Sequence, residues 1–149
     1  MKKRVLFLCI GNSCRSQLAE ALVHAHLGES WEAYSAGVHP VGVVHPLVSK
    51  VLKEIGIEHT GRSKSVEEFR GQKFDLVMTV CDSAAEECPV WLGEGKRAHI
   101  DFPDPAKTIG SNEQVLAAFR SVRDGMIEKI VKPLKKWPNI NLNTYKGES

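Results

Sequence analysis

Arg4-Val-Leu-Phe-Leu-Cys9 is an apolar run of strand length, and the residues after it leave little choice of architecture. Gly11-Asn12-Ser13 turns the chain sharply, and Ser16 opens a helix with Leu18, Ala19, Leu22 and Ala25 at helical spacing. An apolar strand running through a tight loop into a helix is the opening unit of a parallel α/β sheet, and such sheets bind ligands at the carboxyl ends of their strands. The loop also carries chemistry. A thiol, five residues and an arginine, Cys9 to Arg15, form a cradle for a tetrahedral oxyanion. Gly11, Asn12 and Ser13 tolerate tight or left-handed backbone, so successive amides point into one concavity. The positive end of the following helix faces the same point, and Arg15 adds a planar fork that matches two oxygens. The expected binding set is Gly11, Asn12, Ser13, Cys14, Arg15 and Ser16. Cys9 is the expected nucleophile, held as a thiolate by the helix terminus and the adjacent cation, with phosphate or arsenate as its target.

The rest of the chain continues the alternation. Trp31 to Ala36 reads as a second strand ending at Gly37, and Gly28 terminates the helix before it. Pro46 at a first helical position, an apolar face of Leu47, Val48, Val51, Leu52 and Ile55, and Gly56 past the end predict a second helix. Phe74 to Val80 reads as a buried parallel strand and Arg97 to Ile100 as a short fourth one. Ser111 with Gln114 makes a capping box for a long final helix, which Pro133 ends or kinks. The expectation is an α/β fold with helices on both faces of a parallel sheet, in one catalytic domain over residues 1–149. Residues 133–149 form a C-terminal extension, mobile or held against the surface.

Composition excludes several classes. In 149 residues of which 42% are hydrophobic there is enough apolar material for a core but too little length for two domains. The net charge of +2 comes from mixed charges along the whole chain, which argues against nucleic-acid or membrane partners. Met1-Lys-Lys-Arg4 and the apolar stretch after it imitate a signal peptide, but that stretch stops at Gly11, too short for export. Four cysteines are too sparse for a disulfide scaffold, so a reducing cytoplasm is the expected location. No histidine set has metal-ligand spacing, and neither a metal nor another cofactor is expected.

Cys81 stands directly after the third strand, with Cys88 seven residues on. If the third strand lies beside the first, in sheet order 2-1-3-4, their carboxyl ends are about 4.8 Å apart. Cys81 then comes within reach of an adduct on Cys9, since a disulfide tolerates Cα separations up to ~6.8 Å. The acidic residues Asp82, Glu86 and Glu87 suggest an exposed segment. Were residues 82–88 helical, the Cα atoms of Cys81 and Cys88 would be about 10.5 Å apart, so bridging them requires the segment to unwind. Cys14 reads as a packing residue, with a role as a second thiol partner left open. Asp104 and Asp101 both stand near the Pro103–Pro105 turn and compete for the role of general acid.

Taken together, Cys9-Ile-Gly-Asn-Ser-Cys-Arg-Ser-Gln17, the Ser35-Ala-Gly37 turn, Cys81, Cys88 and Asp104-Pro105 resemble the thioredoxin-coupled arsenate reductases. These share the low-molecular-weight protein tyrosine phosphatase fold, so the resemblance implies a three-layer sandwich around a four-stranded parallel sheet of order 2-1-3-4. It implies that Cys9 attacks arsenate, that Arg15 and Ser16 stabilise anion and thiolate, and that Asp104 protonates the leaving oxygen. Cys81 and Cys88 would relay the oxidation to thioredoxin or another dithiol reductant, with phosphate or sulfate as substrate analogues. Some arsenate reductases bind potassium near the loop through residues that Asn12, Glu20 and Ser35 resemble. Here Lys64-Ser65 stands where they carry an aspartate, so Asn12 and Glu20 are expected to brace the loop instead. The alternative is a low-molecular-weight phosphatase in which water resolves a Cys9 phosphoenzyme. Against it, Ala106-Lys107 rather than an aromatic residue follows Asp104-Pro105, and Val80-Cys81 replaces the Met-Asp typical of the phosphatases' third strand.

Overall fold

The computed structural model describes residues 1–140. Four strands, β1 (Lys3–Cys9), β2 (Trp31–Gly37), β3 (Leu76–Thr79) and β4 (Lys96–His99), pair in parallel in the order β2-β1-β3-β4. The chain leaves β1 to one side for β2 and returns on the other side for β3. The carboxyl ends of β1 and β3 therefore flank the switch point where an open α/β sheet binds its ligands.

β1 alternates between two cores. Val5, Phe7 and Cys9 face α1 (Arg15–Leu27), α2 (Pro46–Lys53) and α3 (Asn112–Met126), whereas Leu6 and Leu8 face Phe69, Phe74, Val77 and Trp91. The layer on this second face is thin. Its only helix among the described residues is a 3-10 turn, Val66–Phe69, and aromatic rings supply the rest: Phe74 meets Tyr34, Phe69 and Trp91 edge-on. Two strands are shifted or shorter than their apolar runs suggest. β3 spans four residues because Phe74 and Val80 are buried outside the regular ladder, and β4 begins at Lys96.

Ser111 and Gln114 form the expected capping box at the start of α3. The helix does not stop at Pro133. Proline lacks an N–H and its ring crowds the carbonyl four residues back. The chain widens ahead of it into a π-turn over Ile127–Val131, in which the Lys132 amide bonds to the Ile127 carbonyl, and continues as α4 (Lys132–Leu134). Leu134 is buried and Trp137 meets Trp31 edge-on at 5.3 Å, so this part of the extension packs on the body. The remainder of the extension lies outside the described residues. No helix among the described residues is long and apolar enough to cross a membrane.

Candidate active site

Cys9 ends β1 and Arg15 begins α1, so strand and helix fix the two ends of the loop between them. Of the residues expected to accommodate left-handed backbone, Asn12 does so, at φ 50°, a region asparagine enters more readily than most side chains. The loop carbonyls point outward. Ile10 accepts from the His39 amide at 2.9 Å, Gly11 from the Val41 amide at 3.1 Å and Ser63 Oγ at 2.9 Å, and Ser13 from the His45 amide at 3.1 Å. Among the described residues no protein acceptor takes the amides of residues 11–16, which leaves them available to an oxyanion. Asn12 Nδ2 donates to Ser16 Oγ at 2.7 Å, and Ser16 Oγ lies 2.9 Å from Cys9 Sγ. With its oxygen already accepting from Asn12, the Ser16 hydroxyl has its proton free for the sulfur, an arrangement that solvates a sulfur anion.

A buried polar layer holds the loop from beneath. Asn12 Oδ1 accepts from Gln17 Nε2 at 3.0 Å and from the Lys64 amide at 2.9 Å, while Ser35 Oγ donates to Glu20 at 2.9 Å. The Lys64 ammonium reaches into this layer, 3.2 Å from Ser35 Oγ, 3.5 Å from Asn12 Oδ1 and 3.7 Å from Glu20. It stands among the three residues that resemble a potassium site, so a cation of the chain itself supplies positive charge there. Burial pulls the Lys64 pKa down while Glu20 pulls it up, and burial wins. Cys14 is buried behind the loop, and its thiol is pushed up to about 12, first by burial and then by the charge of Asp104. Its burial and raised pKa are compatible with the expected packing role.

Arg15 is almost fully buried, and its guanidinium is already engaged. Nη1 donates to Glu86 Oε2 at 2.5 Å and to the Phe102 carbonyl at 3.0 Å, and Nη2 donates to Glu86 Oε1 at 2.7 Å. Asp104 accepts from the Ala106 amide with one oxygen, and its other lies 3.8 Å from Arg15 Nη2. Asp101 points elsewhere. It bonds His99 Nε2 at 2.6 Å and both the amide and hydroxyl of Ser83, and His99 above all holds its carboxyl down at about 2. Of the two aspartates, only Asp104 lines the cleft of about 430 Å³ that also contains Cys9, Cys14, Arg15, Glu86 and Lys107.

Cys81 and Cys88 are joined by a disulfide with Cα atoms 6.0 Å apart. Val80 donates its amide to the Leu8 carbonyl, which sets Cys81 beside the end of β1 where Cys9 lies. Residues 82–88 form a loop with one turn, in which Ala85 and Glu86 donate to the Asp82 carbonyl. Cys81 is fully buried and Cys88 half-buried. The acidic segment is exposed at Ser83, Ala84, Ala85 and Glu87, as its composition suggests, but the Glu86 side chain turns inward and keeps only 9% of its surface. Sequence reasoning missed two neighbours. Glu86 meets Arg15 across 71 residues of chain, a pairing no local pattern encodes. His99 brings a ring nitrogen within 4.8 Å of both disulfide sulfurs while bonding Thr79 and Asp101; only its place at the end of a strand hinted at this.

Comparison with known proteins agrees with this geometry. The sequence pattern of the family described as low molecular weight phosphotyrosine protein phosphatase matches residues 4–139. An arsenate reductase of Halalkalibacterium halodurans is 45% identical over 130 residues, 87% of this chain and 93% of that protein. The crystal structure of an arsenate reductase from Archaeoglobus fulgidus superposes with a TM-score of 0.65 at 34% identity, covering 83% of this chain and 98% of that one. A thioredoxin-dependent arsenate reductase of Corynebacterium glutamicum gives a TM-score of 0.57 at 26% identity, covering 88% of this chain and 63% of the other.

Proposed function

We propose that this chain, which belongs to the low molecular weight phosphotyrosine protein phosphatase family, is an arsenate reductase that draws electrons from thioredoxin or an equivalent dithiol protein. The observation that carries the reading is the Cys81–Cys88 disulfide closed beside the Cys9 cradle, which a cycle resolved by water does not require. Arsenate binds to the amides of residues 11–16 and to the Arg15 fork. Cys9 attacks arsenic, and Asp104 protonates the oxygen that leaves, giving a Cys9 thioester of arsenic(V). Cys81 then attacks the Cys9 sulfur. The S–As bond breaks, its electron pair stays on arsenic, and arsenite departs as a Cys9–Cys81 disulfide forms. Cys88 attacks Cys81, returning Cys9 as a thiolate and leaving the Cys81–Cys88 disulfide. A dithiol protein then donates two electrons and two protons, and the half-buried Cys88 is the sulfur it reaches. A reductant of this kind supports a cytoplasmic location.

The test is arsenate-dependent NADPH oxidation with thioredoxin and its reductase, run beside hydrolysis of an aryl phosphate. Reduction well above hydrolysis, with both lost in Cys9→Ser, is the expected result. Hydrolysis without reduction would make the chain a phosphatase acting through a Cys9 phosphoenzyme.

A further inference from the structure

Glu86 holds the Arg15 fork. Its two carboxylate oxygens lie 2.5 and 2.7 Å from the two terminal nitrogens of Arg15, the paired contact through which a guanidinium grips two oxygens of an oxyanion. A third bond, from the Asp82 amide to Oε2 at 2.7 Å, ties the carboxylate to the start of the same loop. Arg15 and Glu86 keep 4% and 9% of their side-chain surface, so the pair is largely shielded from water. Since Arg15 begins the helix after the anion loop, a carboxylate on its fork and an oxyanion in the cradle compete for the Arg15 nitrogens.

Resting on the arsenate reductase reading, we infer that Glu86 is a positioning residue that plugs the oxyanion site in the disulfide form and vacates it in the dithiol form, so that substrate binds only to enzyme ready to reduce it. The disulfide closes a ring from Cys81 to Cys88, and Glu86 lies inside that ring. Covalent closure restricts the loop and raises the effective concentration of the carboxylate at Arg15. Reduction breaks the S–S bond, with two electrons and two protons from the dithiol donor giving two thiols, and the constraint is gone. If the freed segment winds into a helix, the ends of the ring separate from 6.0 Å to about 10.5 Å, and Glu86 is drawn off the fork. The plug serves the end of the cycle as well. Arsenite has already left when the second disulfide closes, and the carboxylate that closure brings in keeps a fresh oxyanion from occupying a site whose relay is spent.

Inorganic phosphate is the probe, because it binds the cradle without being reduced and so reads the plug independently of arsenate turnover. Isothermal titration of wild type, Glu86→Ala and Glu86→Gln is performed on the disulfide and dithiol forms of each. Oxidised wild type is expected to bind phosphate at least tenfold more weakly than reduced wild type. In Glu86→Ala the oxidised form should recover to within about twofold of its own reduced form, and Glu86→Gln should fall between. Reduced-state affinity, expected to be similar in all three, reports that the cradle is intact. Coupling is reciprocal, so saturating phosphate should raise the reduction potential of the wild-type disulfide by about 30 mV for a tenfold gap and that of Glu86→Ala by no more than about 9 mV, the equivalent of twofold. Equal phosphate affinity in the two redox forms of wild type overturns the inference, and so does a gap that survives intact in Glu86→Ala.

Discussion

A single methyl group placed on Gly37 tests how firmly the scaffold holds the anion loop. Gly37 ends β2 opposite Cys9, and a Cβ built on it would lie 2.4 Å from the Ile10 carbonyl oxygen and 2.9 Å from the Asn12 amide nitrogen, both backbone atoms of the cradle. Its φ lies outside the left-handed region, so Gly37→Ala isolates the steric effect from any backbone preference. Cβ contacts essentially never fall below 3.0 Å, so from 2.4 Å the Ile10 carbonyl has to retreat by about 0.6 Å to be tolerated at all. That carbonyl is pinned by the His39 amide at 2.9 Å. Overpacking of this kind costs about 1–3 kcal/mol, which for a chain of this size lowers Tm by roughly 3–10 °C. To the extent that the loop yields, its amides move away from the oxyanion. Since a misplacement of about 1 Å costs ~10²-fold, kcat/KM should fall by about 10- to 100-fold. Thermal denaturation with steady-state arsenate reduction reads both. Wild-type Tm together with wild-type kcat/KM in Gly37→Ala would refute the claim that β2 buttresses the cradle.

Arg15→Lys keeps the charge but loses the fork, and should lower kcat/KM by about 10²–10³-fold; a loss under threefold would reduce Arg15 to general electrostatics. Asp104→Asn should slow the first chemical step by about 10²–10⁴-fold in single-turnover measurements, with Asp101→Asn much milder. The reverse order would move the acid role to Asp101. Asp101 also predicts a pH effect. Its folded pKa of about 2 lies below the ordinary 3.8, so its contribution to stability is complete above about pH 4 and is lost as pH falls through 2. Asp101→Asn should therefore lower Tm at pH 5 more than at pH 2, and an equal loss at both would contradict the pairing with His99.

The features legible in the sequence are local or periodic. The apolar run of β1, the tight loop, the start of α1 and the capping box of α3 are each written within a few neighbouring residues, and each forms where expected, α1 beginning one residue early at Arg15. The sheet order 2-1-3-4 is the usual one for a small parallel sheet and is implied by the family resemblance, and the observed order β2-β1-β3-β4 agrees. Boundaries are less legible. Phe74 and Val80 are as apolar as the strand between them yet lie outside the regular strand, and Pro133, read as ending or kinking the helix, is accommodated by a π-turn upstream. Long-range polar partners are invisible. Glu86 reads as part of an exposed acidic segment, and nothing near it in sequence announces Arg15. Lys64 stands out in the sequence only as the neighbour of Ser65, yet its ammonium sits among Asn12, Ser35 and Glu20 because a loop between α2 and β3 folds back under the cradle. A side chain's partner across the fold is set by tertiary packing, which hydrophobic period and turn chemistry constrain only in outline.

The central claim is that arsenate is reduced by Cys9 and Cys81 and that Cys88 only resets the enzyme. Reduced Cys88→Ser, mixed with excess arsenate and quenched in acid, tests it most directly when arsenite and disulfide connectivity are measured together by mass spectrometry. The account predicts one arsenite per protein, a Cys9–Cys81 disulfide, and no further turnover when thioredoxin and its reductase are added. Sustained turnover in this variant, or arsenite released without a Cys9–Cys81 bond, would contradict it.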